Sequence, residues 1–401
     1  MNPLISLFNL PSVSSPQHRP WSQRRIPDWL WRPTFVFLVT RLGLLVLAYL
    51  AVALVHGRFS GEYHTAPGNV FLDVWGGRWD SGFYLNIATE GYAFPKDHFA
   101  NIAFLPVYPL LVYGAKLLVG NVVLGAVLVS NLAFWLALIV LYRLAALDFG
   151  EEVAARAIFY VAIFPTALFF SAAYTESVFL LLAAGALYAA RRGSWGLAAL
   201  AGLLACATRL VGIVLVPVLF AEWAHQRWWG AGAPGAGALA PLFVPAGLVS
   251  YLIFLQRMFG DPAAYLQALG AWERQPQPFL TAAGSVIQAL GNRSLDDLLA
   301  GNLPLPPLID LAFIVTFLVI GLVMLRDFRP AYALFVFFGA ALPASSGILI
   351  SMPRYVAVLF PAFIALAVWG RREWLDRSIV VVSLLLLALF TILFANWYWV
   401  A

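Results

Sequence analysis

The chain has 401 residues, 62% of them hydrophobic and 11% charged. A soluble domain carries roughly twice that charged fraction, so a water-soluble globule is excluded and a polytopic, all-α membrane protein is indicated. Net charge is +5, but the basic residues sit in loops between apolar segments and form no nucleic-acid face. The single cysteine, Cys206, excludes an intrachain disulfide. Ala, Gly and Leu are abundant, arginine far outnumbers lysine, and Lys96 and Lys116 are the only lysines. That composition points to a GC-rich prokaryote, hence its plasma (inner) membrane.

In chain order, residues 1–33 read as a cytoplasmic tail. The apolar part is short and the basic residues follow it, unlike a cleavable signal. Residues 34–401 read as one transmembrane domain. Apolar segments fall near 34–55, 121–142, 154–172, 175–191, 195–207, 211–224, 239–258, 308–326, 331–348, 354–370 and 378–398. Several are shorter than the roughly 20 residues of a typical span, and 195–224 reads as two short spans or one long helix. The run 102–119 carries two prolines and Lys116, and reads as a juxtamembrane piece. With the N-terminus inside and about eleven spans, Arg32, Arg143, Arg156, Arg191, Arg192, Arg227, Arg326, Arg329, Arg371 and Arg372 all fall on the cytoplasmic side. The positive-inside rule expects this; counting 102–119 as a span would reverse it. The long loops 56–120 and 259–306 then face outward, and GAGAPGAGALAP at 230–241 is a flexible inner connection.

The outer stretch 75–109 is too polar for a span. Trp79, Phe83 and Ile87 recur every fourth residue, and Gly91 stands where a helix stops. This predicts an amphipathic surface helix with Asp80 in its first turn, where the helix dipole favours a carboxylate.

Under this topology four polar groups occupy outer span ends. They are Trp79-Asp80 with Asp73 upstream; Tyr174 and Glu176 in FFSAAYTES; Thr208 and Arg209 in ATRLVG; and Arg354 and Tyr355 in SMPRY. Charges at membrane depth are costly unless paired or lining a wet cavity. Singly, each has a plain structural account: an ion pair for Glu176, snorkelling for Arg209, a helix anchor for Arg354. Two carboxylates and two arginines on one side argue for a single site. Arginines suit a lipid phosphate, aromatics suit sugar rings, and a carboxylate suits a general base for a sugar hydroxyl. No Walker loop, zinc-type cluster or DxD pair is present, and neither a metal nor a cofactor is expected.

RWDSGFYLNIATEGY, AFLPVYPLL, FPTALFFSAAYTESVF, ATRLVG and MPRYVAVLFP follow one another in the order seen in PIG-V-like mannosyltransferases. The resemblance runs from about 70 to 362. It implies a GT-C type glycosyltransferase fold with amphipathic juxtamembrane helices in the first outer loop. It also implies a site on the non-cytoplasmic face, a polyprenyl-phosphate sugar donor, typically of mannose, and inversion at the anomeric carbon. In that family the acidic residue of the first outer loop is the expected base, which maps to Asp80. The arginine motif departs in reading TRLVG, where an Asn often follows in the eukaryotic enzymes, and the outer loops are compact; both bear on the acceptor.

The expected roles are then Asp80 as base, Arg354, Arg209 and Tyr355 for the donor phosphate, and Glu176, Tyr174, Trp79, Tyr84, Tyr92, His98 and Asp73 for sugar or acceptor. The expected partners are a polyprenyl-phosphate-linked sugar, a glycolipid or glycan acceptor and membrane lipids. A transporter or flippase of a lipid-linked sugar is the alternative. It would keep the lipid-phosphate site without a base, but the charges lie at span ends and no inverted repeat is evident.

Overall fold

The computed structural model describes residues 26–55, 57, 65–66, 68–94, 100–230, 232–272 and 274–400. In order the helices are α1 (Asp28–Leu54), α2 (Val70–Gly76), α3 (Ser81–Glu90), α4 (Val107–Val119), α5 (Val122–Ile163), α6 (Glu176–Arg191), α7 (Trp195–Cys206), α8 (Leu215–Trp229) and α9 (Ala240–Phe243). There follow α10 (Ala246–Phe259), α11 (Ala264–Ala271), α12 (Phe279–Gly291), α13 (Leu295–Leu299), α14 (Leu305–Asp327), α15 (Pro330–Ala344), α16 (Met352–Ala357), α17 (Phe360–Trp369) and α18 (Glu373–Ala395). The described residues contain no strand. Helix α1 starts already at Asp28, inside the expected tail, and Arg32 pairs with Asp28 one turn away at 2.8 Å.

Among the described residues, five stretches are each long and apolar enough to cross a membrane: α1, α5, Gly235–Phe259, α14 and α18. Shorter helices, among them α6, α7, α8, α15 and α17, pack between these. Helix α6 sets the scale. It begins at Glu176 and ends at Arg191, and its 16 residues span about 24 Å. The two halves of α5 meet at Gly150, whose φ of 83° breaks the helix. The left-handed region suits glycine there.

Residues 195–224 are two helices. They turn at Ala207–Arg209, where a Cβ on Gly212 would lie 2.5 Å from the Cys206 amide nitrogen. A hydrogen at that position lets the hairpin close. The piece 107–119 is a short helix packed on α5. Its Tyr108 hydroxyl bonds Ser130 Oγ at 2.9 Å, and Lys116 lies beside Gly125, so α4 runs back along the start of α5.

The third apolar segment stops being helical at Ile163, well before 172. Pro165 forces Phe164 into an extended conformation, ψ 145°. The carbonyls stranded at this helix end are taken by Arg41 of α1. It donates to Ala162 O at 2.8 Å, Ala167 O at 2.9 Å and Ser171 Oγ at 3.1 Å, and lies over the Phe134 ring.

The end carrying Arg191 is a half-buried charge cluster. Arg191 bonds Asp148 Oδ1 at 2.7 Å through Nη2 and approaches Glu222 Oε1 at 3.2 Å through Nε. Arg329 meets the same acids at 3.6 and 3.4 Å. The Tyr332 hydroxyl donates to Asp148 Oδ2 at 2.7 Å. Arg191 and Arg329 therefore do more than bias topology: they staple α5, α6, α8 and α15 together. The opposite end holds the residues singled out from the sequence.

Candidate functional site

Four distant segments meet at that end. The first places Asp80 just before α3, as its N-cap residue, with no capping bond from its side chain. The expected helix therefore starts two residues after Trp79. That tryptophan has a left-handed φ of 54° and is not on the face of α3. Its ring instead packs edge-on against Trp397 and Trp399, at 5.7 and 5.1 Å. Freed from capping, the Asp80 carboxylate accepts from Arg354 Nη1 at 2.8 Å.

Arg354 sits in α16, and its Nε lies 3.2 Å from Glu176 Oε1. Glu176, the first residue of α6, is fully buried. The same Oε1 also takes Arg209 Nη1, which bonds Thr175 Oγ1 at 2.9 Å. Asp80, Arg354, Glu176 and Arg209 thus form one chain of alternating charge. Burial strengthens each attraction and makes each group costly to leave alone. The cluster is walled by rings. Arg354 lies 5.3 Å from the centre of Tyr174, 5.5 Å from Phe169 and 5.9 Å from Tyr355.

Sequence reasoning placed phosphate-binding arginines at 209 and 354. In this conformation both are engaged by carboxylates, so the anion does not meet two open guanidinium forks. The start of α16 is also not an open amide cluster. The helix has six residues, and the Met352 amide donates to Asp310 Oδ1 at 2.7 Å. Asp310 was missed because it lies within an apolar run whose only signal was one acid near the start.

Of the other expected residues, Tyr355 joins the cluster: Arg209 stands 5.1 Å from its ring centre. Tyr174 donates its hydroxyl to Arg78 O at 2.9 Å, so its ring, not its oxygen, faces Arg354. Tyr84 packs edge-on against Tyr108 and Tyr174 at 5.2 and 6.3 Å. Burial, with Glu176 and Asp80 nearby, holds its phenol well above the ordinary range, so it stays a neutral donor.

Asp73 and Tyr92 are not brought to the cluster. Asp73 is buried against Arg78 at 2.8 Å and accepts the amides of Thr65 and Ala66 at 2.9 and 3.3 Å. This pair pins α2, and Arg78 also caps Ala395 O and lies over Trp397. Tyr92 donates to Phe104 O at 2.9 Å and packs on Tyr251 and Phe254. His98 lies outside the described residues. Among the described residues no three His, Cys, Asp or Glu side chains gather as a metal site would require.

The loop between α10 and α14 supplies a residue that sequence reasoning did not assign. Arg274 lies 5.2 Å from the Tyr355 ring centre and donates to Ser346 Oγ at 3.2 Å. Trp272 packs against Phe83 at 5.5 Å, so this loop closes over the one bearing Asp80. The only sequence signal was an arginine two residues after a tryptophan in an outer loop.

Among solved structures, the chain is similar to ArnT from Cupriavidus metallidurans bound to undecaprenyl phosphate. Identity is 14% and the TM-score 0.47, covering 90% of this chain and 76% of that one. It is also similar to the oligosaccharyltransferase of Archaeoglobus fulgidus in the apo form. There identity is 14% and the TM-score 0.47, covering 94% of this chain and 57% of that one. No curated protein gives a significant match. Residues 51–228 match the family described as Mannosyltransferase (PIG-V). That stretch carries Asp80, Tyr174, Glu176 and Arg209, while Arg354 lies beyond it. This match is to the family that the motifs of the chain resemble.

Proposed function

We propose that the chain transfers mannose from a polyprenyl-phosphate carrier to a hydroxyl of a glycolipid or glycan, with inversion, at the non-cytoplasmic face. The observation that carries this reading is the link Asp80–Arg354–Glu176–Arg209, gathered at one end of the bundle. The donor is a phosphodiester with one negative charge. As the acceptor oxygen bonds to the anomeric carbon, its proton passes to Asp80. The bond from that carbon to the phosphate oxygen breaks, and its electron pair leaves with the polyprenyl phosphate, which gains one negative charge. A protonated Asp80 no longer neutralises Arg354. The guanidinium is then released toward the departing phosphate as charge develops there. Glu176 holds Arg354 and Arg209 in register throughout, and the Tyr174 and Phe169 rings exclude water.

The test uses purified protein with candidate polyprenyl-phosphate sugars and mass spectrometry of the released polyprenyl phosphate. The wild type releases it, through transfer or slow hydrolysis. Asp80→Asn retains donor binding and loses release. A wild type that only moves the intact sugar-lipid across vesicles, with Asp80→Asn unaffected, would establish the transporter instead.

A further inference from the structure

Arg209 and Arg354 both contact carboxylates, yet a third guanidinium stands beside them. Arg274 shares the Tyr355 ring with Arg209, at 5.2 and 5.1 Å from its centre. Among the described residues it forms no ion pair, and its bond is to the Ser346 hydroxyl at 3.2 Å. Asp310 is the acid within its electrostatic reach, and one oxygen of that carboxylate is held by the Met352 amide.

The position of Arg274 is built into the fold. Its own amide donates to Leu269 O at 3.2 Å, closing the end of α11. The next residues run along the end of α15: Gln275 N donates to Ser346 O and Gln277 N to Ser345 O, each at 3.0 Å. Gly347, with φ of 86°, makes the close approach possible, since a Cβ there would lie 2.8 Å from Gln275 O. On the other side Trp272 is held by Phe83 and Phe104 at 5.5 and 6.2 Å. An arginine fixed between two loops, stacked on a ring and with no carboxylate in ion-pair contact among the described residues, is arranged to receive an anion from outside the chain.

We propose that Arg274 is the residue that binds the phosphate of the polyprenyl carrier before reaction, while Arg354 and Arg209 remain paired with Asp80 and Glu176. This rests on the reading of the chain as a polyprenyl-phosphate-dependent transferase and assigns its donor anchor. Arg274 meets the single charge of the phosphodiester, and Arg354 meets the second charge that appears when the sugar leaves. The long loop after α10 thereby becomes part of the donor site.

The experiment measures binding of undecaprenyl phosphate and of uncharged undecaprenol to full-length protein in nanodiscs, for wild type, Arg274→Gln and Arg274→Lys. Loss of a charge-assisted contact weakens phosphate binding by about ten- to hundredfold in Arg274→Gln. Undecaprenol binding stays within about twofold of wild type, and Arg274→Lys recovers part of the loss. In turnover assays the Gln variant raises KM for the donor more than it lowers kcat. A merely structural role would move phosphate and alcohol binding together, and Lys would not rescue; that result overturns the proposal. Wild-type phosphate affinity in Arg274→Gln overturns it while leaving the transferase reading intact. Failure of the wild type to prefer the phosphate over the alcohol overturns both.

Discussion

Replacing Arg354 by lysine keeps one positive charge but removes the fork. Arg354 uses two different nitrogens for two different acids: Nη1 reaches Asp80 at 2.8 Å and Nε lies 3.2 Å from Glu176. A single ammonium on a flexible stem does not reproduce both contacts at those angles. One charge-assisted contact, about 1.5–3 kcal/mol, is lost. If it is lost in the transition state, turnover falls about ten- to hundredfold. Alanine removes the cation altogether, takes from Asp80 its contact with Arg354, and leaves the fully buried Glu176 with Arg209 alone. Breaking a buried pair costs about 3–5 kcal/mol, so Arg354→Ala is less active still and less stable to heat. The assay is release of polyprenyl phosphate per folded molecule, with the thermal transition measured on the same preparation. Wild-type turnover in Arg354→Lys would refute the reasoning, since a headgroup anchor needs only a charge that snorkels.

Glu176→Gln keeps the shape but removes the charge that holds both arginines, so turnover drops at least tenfold and the thermal transition falls. Arg191→Met at the opposite end leaves Asp148 and Glu222 with Arg329; it lowers stability by about 3 kcal/mol while turnover per folded molecule stays near wild type. Gly212→Val forces the hairpin of α7 and α8 apart against Cys206, moves Arg209, and lowers both folding yield and activity. For topology, in a Cys206→Ala background, a cysteine at Glu90 reacts with an impermeant reagent from outside intact cells and one at Arg371 does not; the reverse pattern would invert the proposed face. EDTA leaves transfer unchanged, and loss of activity restored by Mg²⁺ would contradict a reaction run by side chains alone.

Composition and charge alone determined that this chain is a bundle of membrane-embedded helices. The apolar helices were legible because each apolar run and each basic turn is a local signal. Asp80, Glu176, Arg209 and Arg354 were legible for the same reason, as charges at span ends have no bland apolar partner in sequence. Local signals do not report what the charges touch. Only the tertiary structure decided that Arg354 and Arg209 contact carboxylates, because those pairings join residues as far apart as Asp80 and Arg354. It likewise decided that Asp73 pins α2 against Arg78 and that Tyr92 packs under α10 instead of facing the cluster. The start of α3 after Asp80 followed the left-handed turn at Trp79, which the four-residue spacing of apolar side chains hid. Arg274 and Asp310 were invisible because an arginine in a polar loop and an acid near a span end are unremarkable until folding sets them beside Tyr355 and Met352. Pattern along the chain fixes which residues enter the membrane, since burial depends on each side chain's own polarity. Pairing among buried charges depends on distances across the bundle, and those exist only once the helices are packed.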